Sequence, residues 1–125
     1  MFNLLLVMIG GAVGAGARHL VNRASLLWLG PDYPWGTLAV NVAGGFAMGL
    51  LVGSLARIGQ GGDQLRLILG VGILGGFTTF SAFSLDAMLM IERGEWVPAL
   101  TYILASVIGS IAALAIGLSV TRAIA

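Results

Sequence analysis

Four stretches of this sequence are apolar enough, and long enough or nearly so, to cross a membrane: roughly residues 3–22, 36–56, 67–91 and 97–121, which together take up most of a 125-residue chain. A hydrocarbon core needs about 20 apolar residues of helix. The second and fourth stretches contain no Asp, Glu, Lys or Arg; the first carries only Arg18 and the third only Asp86. Lipid offers the backbone no hydrogen-bond partner, so a segment of this kind must satisfy its own peptide groups as a helix. The fold class that follows is an all-α integral membrane protein with four transmembrane helices in one domain. A composition of 58% hydrophobic and 9% charged residues, with a mean hydropathy of +1.03, agrees with it. The first stretch is too long, and too poor in upstream basic residues and a small-residue cleavage site, for a removable signal peptide.

The connections, about 23–35, 57–66 and 92–96, leave no room for a soluble domain. Pro31, Pro34, Gly59, Gly61 and Gly62 punctuate them as turn residues do. Trp28, Tyr33, Trp35 and Trp96 fall at one end of the bundle, where an interfacial aromatic belt would lie. With no cysteine, disulfides, thiolate metal sites and cysteine nucleophiles are excluded. A net charge of +1 is too small for a nucleic-acid surface. The basic residues do not choose an orientation. Arg57, Arg66 and Arg122 lie on the side of the N-terminus, and Arg18, Arg23 and Arg93 on the other. Such a tie suggests insertion in both orientations, as an antiparallel dimer requires.

Polar residues within the spans mark where function would reside. Gly45, Gly49 and Gly53 recur every four residues on one face of the second span, a spacing that permits close backbone approach, and Asn41 continues that face. An amide at membrane depth is costly unless something binds it. Tyr102, Ser106 and Ser110 repeat the spacing in the fourth span and would stack their hydroxyls in a line. Neutral donors with no carboxylate among them suit an anion better than a cation. In the third span Gly72, Gly75 and Gly76 precede β-branched Thr78 and Thr79, which lowers helix propensity at its centre. The reading is a helix broken near the midplane, tolerable only where it is buried or lines a cavity. Phe80 and Phe83 follow on one face, and their electropositive ring edges could line a passage for a small anion.

Three segments, "GGAVGAGARH" at 10–19, "GTLAVNVAGGFAMG" at 36–49 and "GILGGFTTFSAFSLD" at 72–86, resemble the signature segments of the small fluoride channel family called Fluc or CrcB. The resemblance covers essentially the whole chain. It implies a dual-topology antiparallel homodimer in the bacterial inner membrane, with two fluoride pathways that export the anion passively. It further implies Phe80 and Phe83 as pore-lining rings, Asn41 as a donor beside them, Tyr102, Ser106 and Ser110 as a polar track, and Arg18 as an attractor of fluoride. Backbone carbonyls around Gly75 and Thr78 of both subunits would hold one structural sodium ion. Two residues depart from the family's usual pattern: His19 stands where Tyr is common and Asp86 where Glu is common. Neither touches the break or the rings.

The rival reading is a proton-coupled exporter of the small multidrug type, which needs a titratable carboxylate in its first helix; residues 3–22 contain none. A membrane enzyme is weaker, since a lone His and no clustered carboxylates leave no acid, base or nucleophile set. A purely structural bundle is the last alternative, opposed by the hydroxyl-rich third span.

Overall fold

A computed structural model describes residues 1–58 and 62–124. The described residues are mainly helical: α1 Phe2–Leu29, α2 Trp35–Leu55, a third span Gly62–Glu92 built in pieces, and α6 Trp96–Ile124. All four are long and apolar enough to cross a membrane. The third span comprises α3 Gly62–Leu65, a π-helical segment Arg66–Leu74, α4 Gly75–Phe77 and α5 Phe80–Glu92. The expected turn residues Gly59 and Gly61 lie outside the described residues. Helix α1 runs on past residue 22 to Leu29, so the first connection is short. Gly30 closes the helix at φ 81°, and Pro34 leads directly into α2. The α5–α6 turn is closed by Gly94 at φ 78°, whose N–H bonds the Ile91 carbonyl, a left-handed helix stop that glycine adopts without strain. Tyr33 brings the first connection against the start of α6, its hydroxyl 3.3 Å from that of Thr101.

The helices pair closely through glycines. Helix α2 packs mainly on α6, and α1 on the first half of the third span. A Cβ on Gly45 would fall 2.7 Å from the Ser110 carbonyl oxygen, and one on Gly49 or Gly53 would strike Leu114 or Thr121. The face that carries the spacing of four is thus the α2–α6 seam. In the other pair, a Cβ on Gly10 would fall 2.6 Å from the Ile68 oxygen, and one on Gly14 would strike the Ile73 carbonyl. Lipid gives no hydrophobic drive for helices to associate, so small residues that let backbones meet supply the packing instead. The larger buried side chains, Phe83, Met90 and Tyr102, cluster between α5 and α6. Most of the large aliphatic residues of α1 and α6 face outward.

Candidate functional site

The third span leaves helical geometry near its centre. Thr78 (φ −88°, ψ 157°) and Thr79 (φ −152°, ψ 121°) are extended, and helix resumes at Phe80. The interruption differs from the expected one in its residues. Gly75 is helical (φ −62°, ψ −39°), and its N–H reaches the Gly70 carbonyl five residues back. Gly76 lies close against α1, where a Cβ would fall 2.5 Å from the Gly11 oxygen. The threonines turn the chain. Thr79 is the N-cap of α5, its Oγ1 accepting from the Ala82 N–H at 3.1 Å, and Thr78 donates its hydroxyl to the Leu74 carbonyl at 2.9 Å.

In an unbroken helix the Gly75 carbonyl would accept from the Thr79 N–H and the Thr78 carbonyl from the Ala82 N–H. Both donors are diverted. The Thr79 N–H donates to Asn41 Oδ1 at 2.8 Å, and Asn41 Nδ2 returns a bond to the Thr79 carbonyl at 3.0 Å. The amide of Asn41 thus pairs both polar groups of one residue, as a neighbouring strand would. From the opposite side Arg18 Nε donates to the Gly76 carbonyl at 3.1 Å. The bare backbone is therefore met from α2 and from α1 at once. Both side chains stand out in the sequence, but their bonds to this backbone do not. The available signal was chemical: an amide offers one donor and one acceptor side by side, which is what an exposed peptide needs.

A groove of about 390 Å³ opens beside the interruption. Asn41, Gly45 and Met48 of α2 line it, with Thr78, Phe80 and Phe83 of the third span and Ser106, Ser110 and Leu114 of α6. The two phenyl rings stand 5.4 Å apart, tilted by 51°. Phe83 is buried, whereas Phe80 is 77% exposed. Ser106 is buried, and its Oγ finds no partner. Elsewhere Ser84, Ser119 and Thr121 bond back to their own helices, the usual relief for a hydroxyl in lipid. Ser106 has not taken it.

The hydroxyl line of α6 is divided. Ser106 and Ser110 line the groove, but Tyr102 does not. Its ring is fully buried, 5.2 Å from Phe83 on one side and edge-on to Tyr33 at 5.7 Å on the other. Its hydroxyl donates to Asp86 Oδ2 at 3.1 Å, and Asp86 lines a separate cavity of about 360 Å³ with Asn22, Thr37 and Arg93. Arg18 and Gly75 also stand off the groove. His19 is exposed. No carboxylate lines the groove. Among the described residues no three His, Asp or Glu side chains stand close enough to share a metal ion.

The family model described as "CrcB-like protein, Camphor Resistance (CrcB)" matches residues 5–118. Curated relatives match from end to end. A "Fluoride-specific ion channel FluC" of Chelativorans sp. is 59% identical over 124 residues, covering 99% of each chain. The protein of the same name from Mesorhizobium japonicum is 57% identical over 124 residues, again 99% of each. That from Sphingopyxis alaskensis is 56% identical over 122 residues, 98% of this chain and 97% of its own.

Proposed function

The chain belongs to the CrcB family, and on that premise we propose that it is a fluoride-specific ion channel, a multi-pass protein of the bacterial inner membrane that lets fluoride leave the cell passively. It is a channel and not an enzyme. The exporter alternative draws no support from relatives named as fluoride channels.

The fluoride path in this reading runs along the groove. The observation that carries it is the unpartnered, buried Ser106 hydroxyl, which lines the groove with Asn41 and the phenyl rings and is free to donate to an anion. Fluoride sheds water only where donors replace it. The second N–H of Asn41, the hydroxyls of Ser106 and Ser110 and the positive edges of Phe80 and Phe83 supply such donors. Tyr102 acts behind Phe83, fixing its ring, and Arg18 acts on the Gly76 carbonyl. The interruption at Thr78–Thr79 lies near the midplane in this arrangement.

The assembly is an antiparallel dual-topology homodimer. Three arginines on each side, an exposed Phe80 ring and open space around Gly75 support it. One structural sodium ion lies between the two copies, held by the carbonyls of Gly75 and Thr78. Their helical donors are diverted, and hard cations favour oxygen of this kind. Bound there, it would supply positive charge to offset the free carbonyl dipoles.

Fluoride and chloride efflux from liposomes tests the reading. The parent releases fluoride and retains chloride. Ser106→Ala, which removes one donor and little volume, lowers fluoride efflux by about tenfold while dimers persist. Efflux of both anions alike, or none, would reject the channel; an unchanged Ser106→Ala rate would move the path elsewhere.

A further inference from the structure

The seam between α2 and α6 opens a second time. One helical turn beyond Met48 and Leu114, which line the end of the groove, Val52, Gly53, Ala56, Arg57, Leu118 and Arg122 enclose a cavity of about 300 Å³. Among the described residues, the only polar side chains in its lining are two guanidinium groups, one just past the end of α2 and one in the last turn of α6. Among the described residues neither pairs with a carboxylate; the ion pair found there joins Arg93 to Glu95 at 2.7 Å. Each arginine opposes the negative end of its own helix dipole, which accounts for a basic residue at either helix end. It does not account for two like charges brought to one cavity, where their repulsion is relieved only by an anion or by water.

We propose that this cavity binds the phosphodiester headgroup of an anionic phospholipid. Guanidinium forks match phosphate oxygens two at a time, and two forks on adjacent helices approach one phosphate from different sides. The remaining walls are apolar: Val52, which is 45% exposed, and Leu118 continue from the arginines toward the middle of the membrane, the direction an acyl chain takes. Free phosphate uses the guanidinium pair but gains nothing from these walls. Basic pockets between membrane helices recognise anionic headgroups by this combination. The inference does not rest on fluoride conduction, because none of these residues lines the groove.

Native mass spectrometry of the full-length protein, released from mixed micelles of phosphatidylglycerol and phosphatidylcholine, tests it. The parent retains phosphatidylglycerol in preference to phosphatidylcholine by about thirtyfold, as two arginines near a headgroup would provide. The double variant Arg57→Gln, Arg122→Gln loses the preference. The double variant Arg57→Lys, Arg122→Lys keeps charge without the fork and shows a reduced preference. Equal retention of both lipids by the parent overturns the proposal, as does an undiminished preference in the glutamine variant. Displacement of phosphatidylglycerol by millimolar inorganic phosphate would show a free-anion site instead, and also overturns it. Should the glutamine variant not fold, the parent's thermal stability in the two lipids decides. A higher midpoint in phosphatidylglycerol, diminished in the lysine variant, supports the site, and equal midpoints reject it.

Discussion

Asn41 has two separable tasks, and substitution can divide them. Its Oδ1 and Nδ2 hold the peptide groups of Thr79, and the residue also lines the groove with one N–H beyond those bonds. Asn41→Leu keeps the bulk and loses both bonds, leaving a part-buried N–H and a part-buried carbonyl unpaired at up to about 1–3 kcal/mol each. Thermal unfolding of this variant in detergent falls well below that of the parent. Asn41→Asp keeps the acceptor for the Thr79 N–H, and when ionised sets a negative charge beside an anion's path. Its stability lies between parent and Asn41→Leu, while fluoride efflux is lost at neutral pH. Equal stability of the two variants would mean that Asn41 does not hold the interruption. The same scale shows what spacing alone conveys. Periodicity gives the direction of a Cβ but not the reach of a long side chain. Ser106 therefore faces the groove as its register implies, while the Tyr102 ring passes Phe83 and delivers its hydroxyl to Asp86.

At the scale of the element, the apolar runs made the four helices legible. The residues that leave helical geometry were harder to place. Glycine costs a helix only about 1 kcal/mol, and Gly76 packs closely against α1, so the residues that look weakest in sequence are not the ones that turn. Thr79 turns because an N-cap is extended by nature and its hydroxyl gains the Ala82 N–H. The length of α1 was equally illegible, since a helix continues through Arg18 and Arg23 when their charged ends find a carbonyl or water. The α1 contact makes a paired prediction. A Cβ on Gly14 would collide with the Ile73 carbonyl and the Phe77 nitrogen, whereas one on Gly16 meets nothing within 4 Å. Gly14→Ala lowers stability by about 1–3 kcal/mol, the cost of overpacking. Gly16→Ala leaves it unchanged or slightly raised, because alanine favours helix. Denaturation of the two variants side by side checks the order, and equal stabilities would count against a backbone-to-backbone seam.

At the scale of the whole molecule, Gly75 reports on what lies beyond one chain. A Cβ there would meet only the Gly70 oxygen at 3.5 Å, so a single copy has room for a larger residue. If two copies meet at the interruption, Gly75→Leu shifts dimers toward monomers on size exclusion and leaves helix content intact by circular dichroism. A dimer as stable as the parent would place the contact elsewhere. The way the interruption is held has a consequence for synthesis. Both side chains that satisfy its backbone, Arg18 on α1 and Asn41 on α2, precede it in the chain. Each unsatisfied peptide group released into lipid alone would cost several kcal/mol. A ribosome working from the N-terminus therefore delivers Arg18 and Asn41 to the bilayer first, and the Gly76 carbonyl and the peptide groups of Thr79 leave the insertion machinery with their partners already waiting.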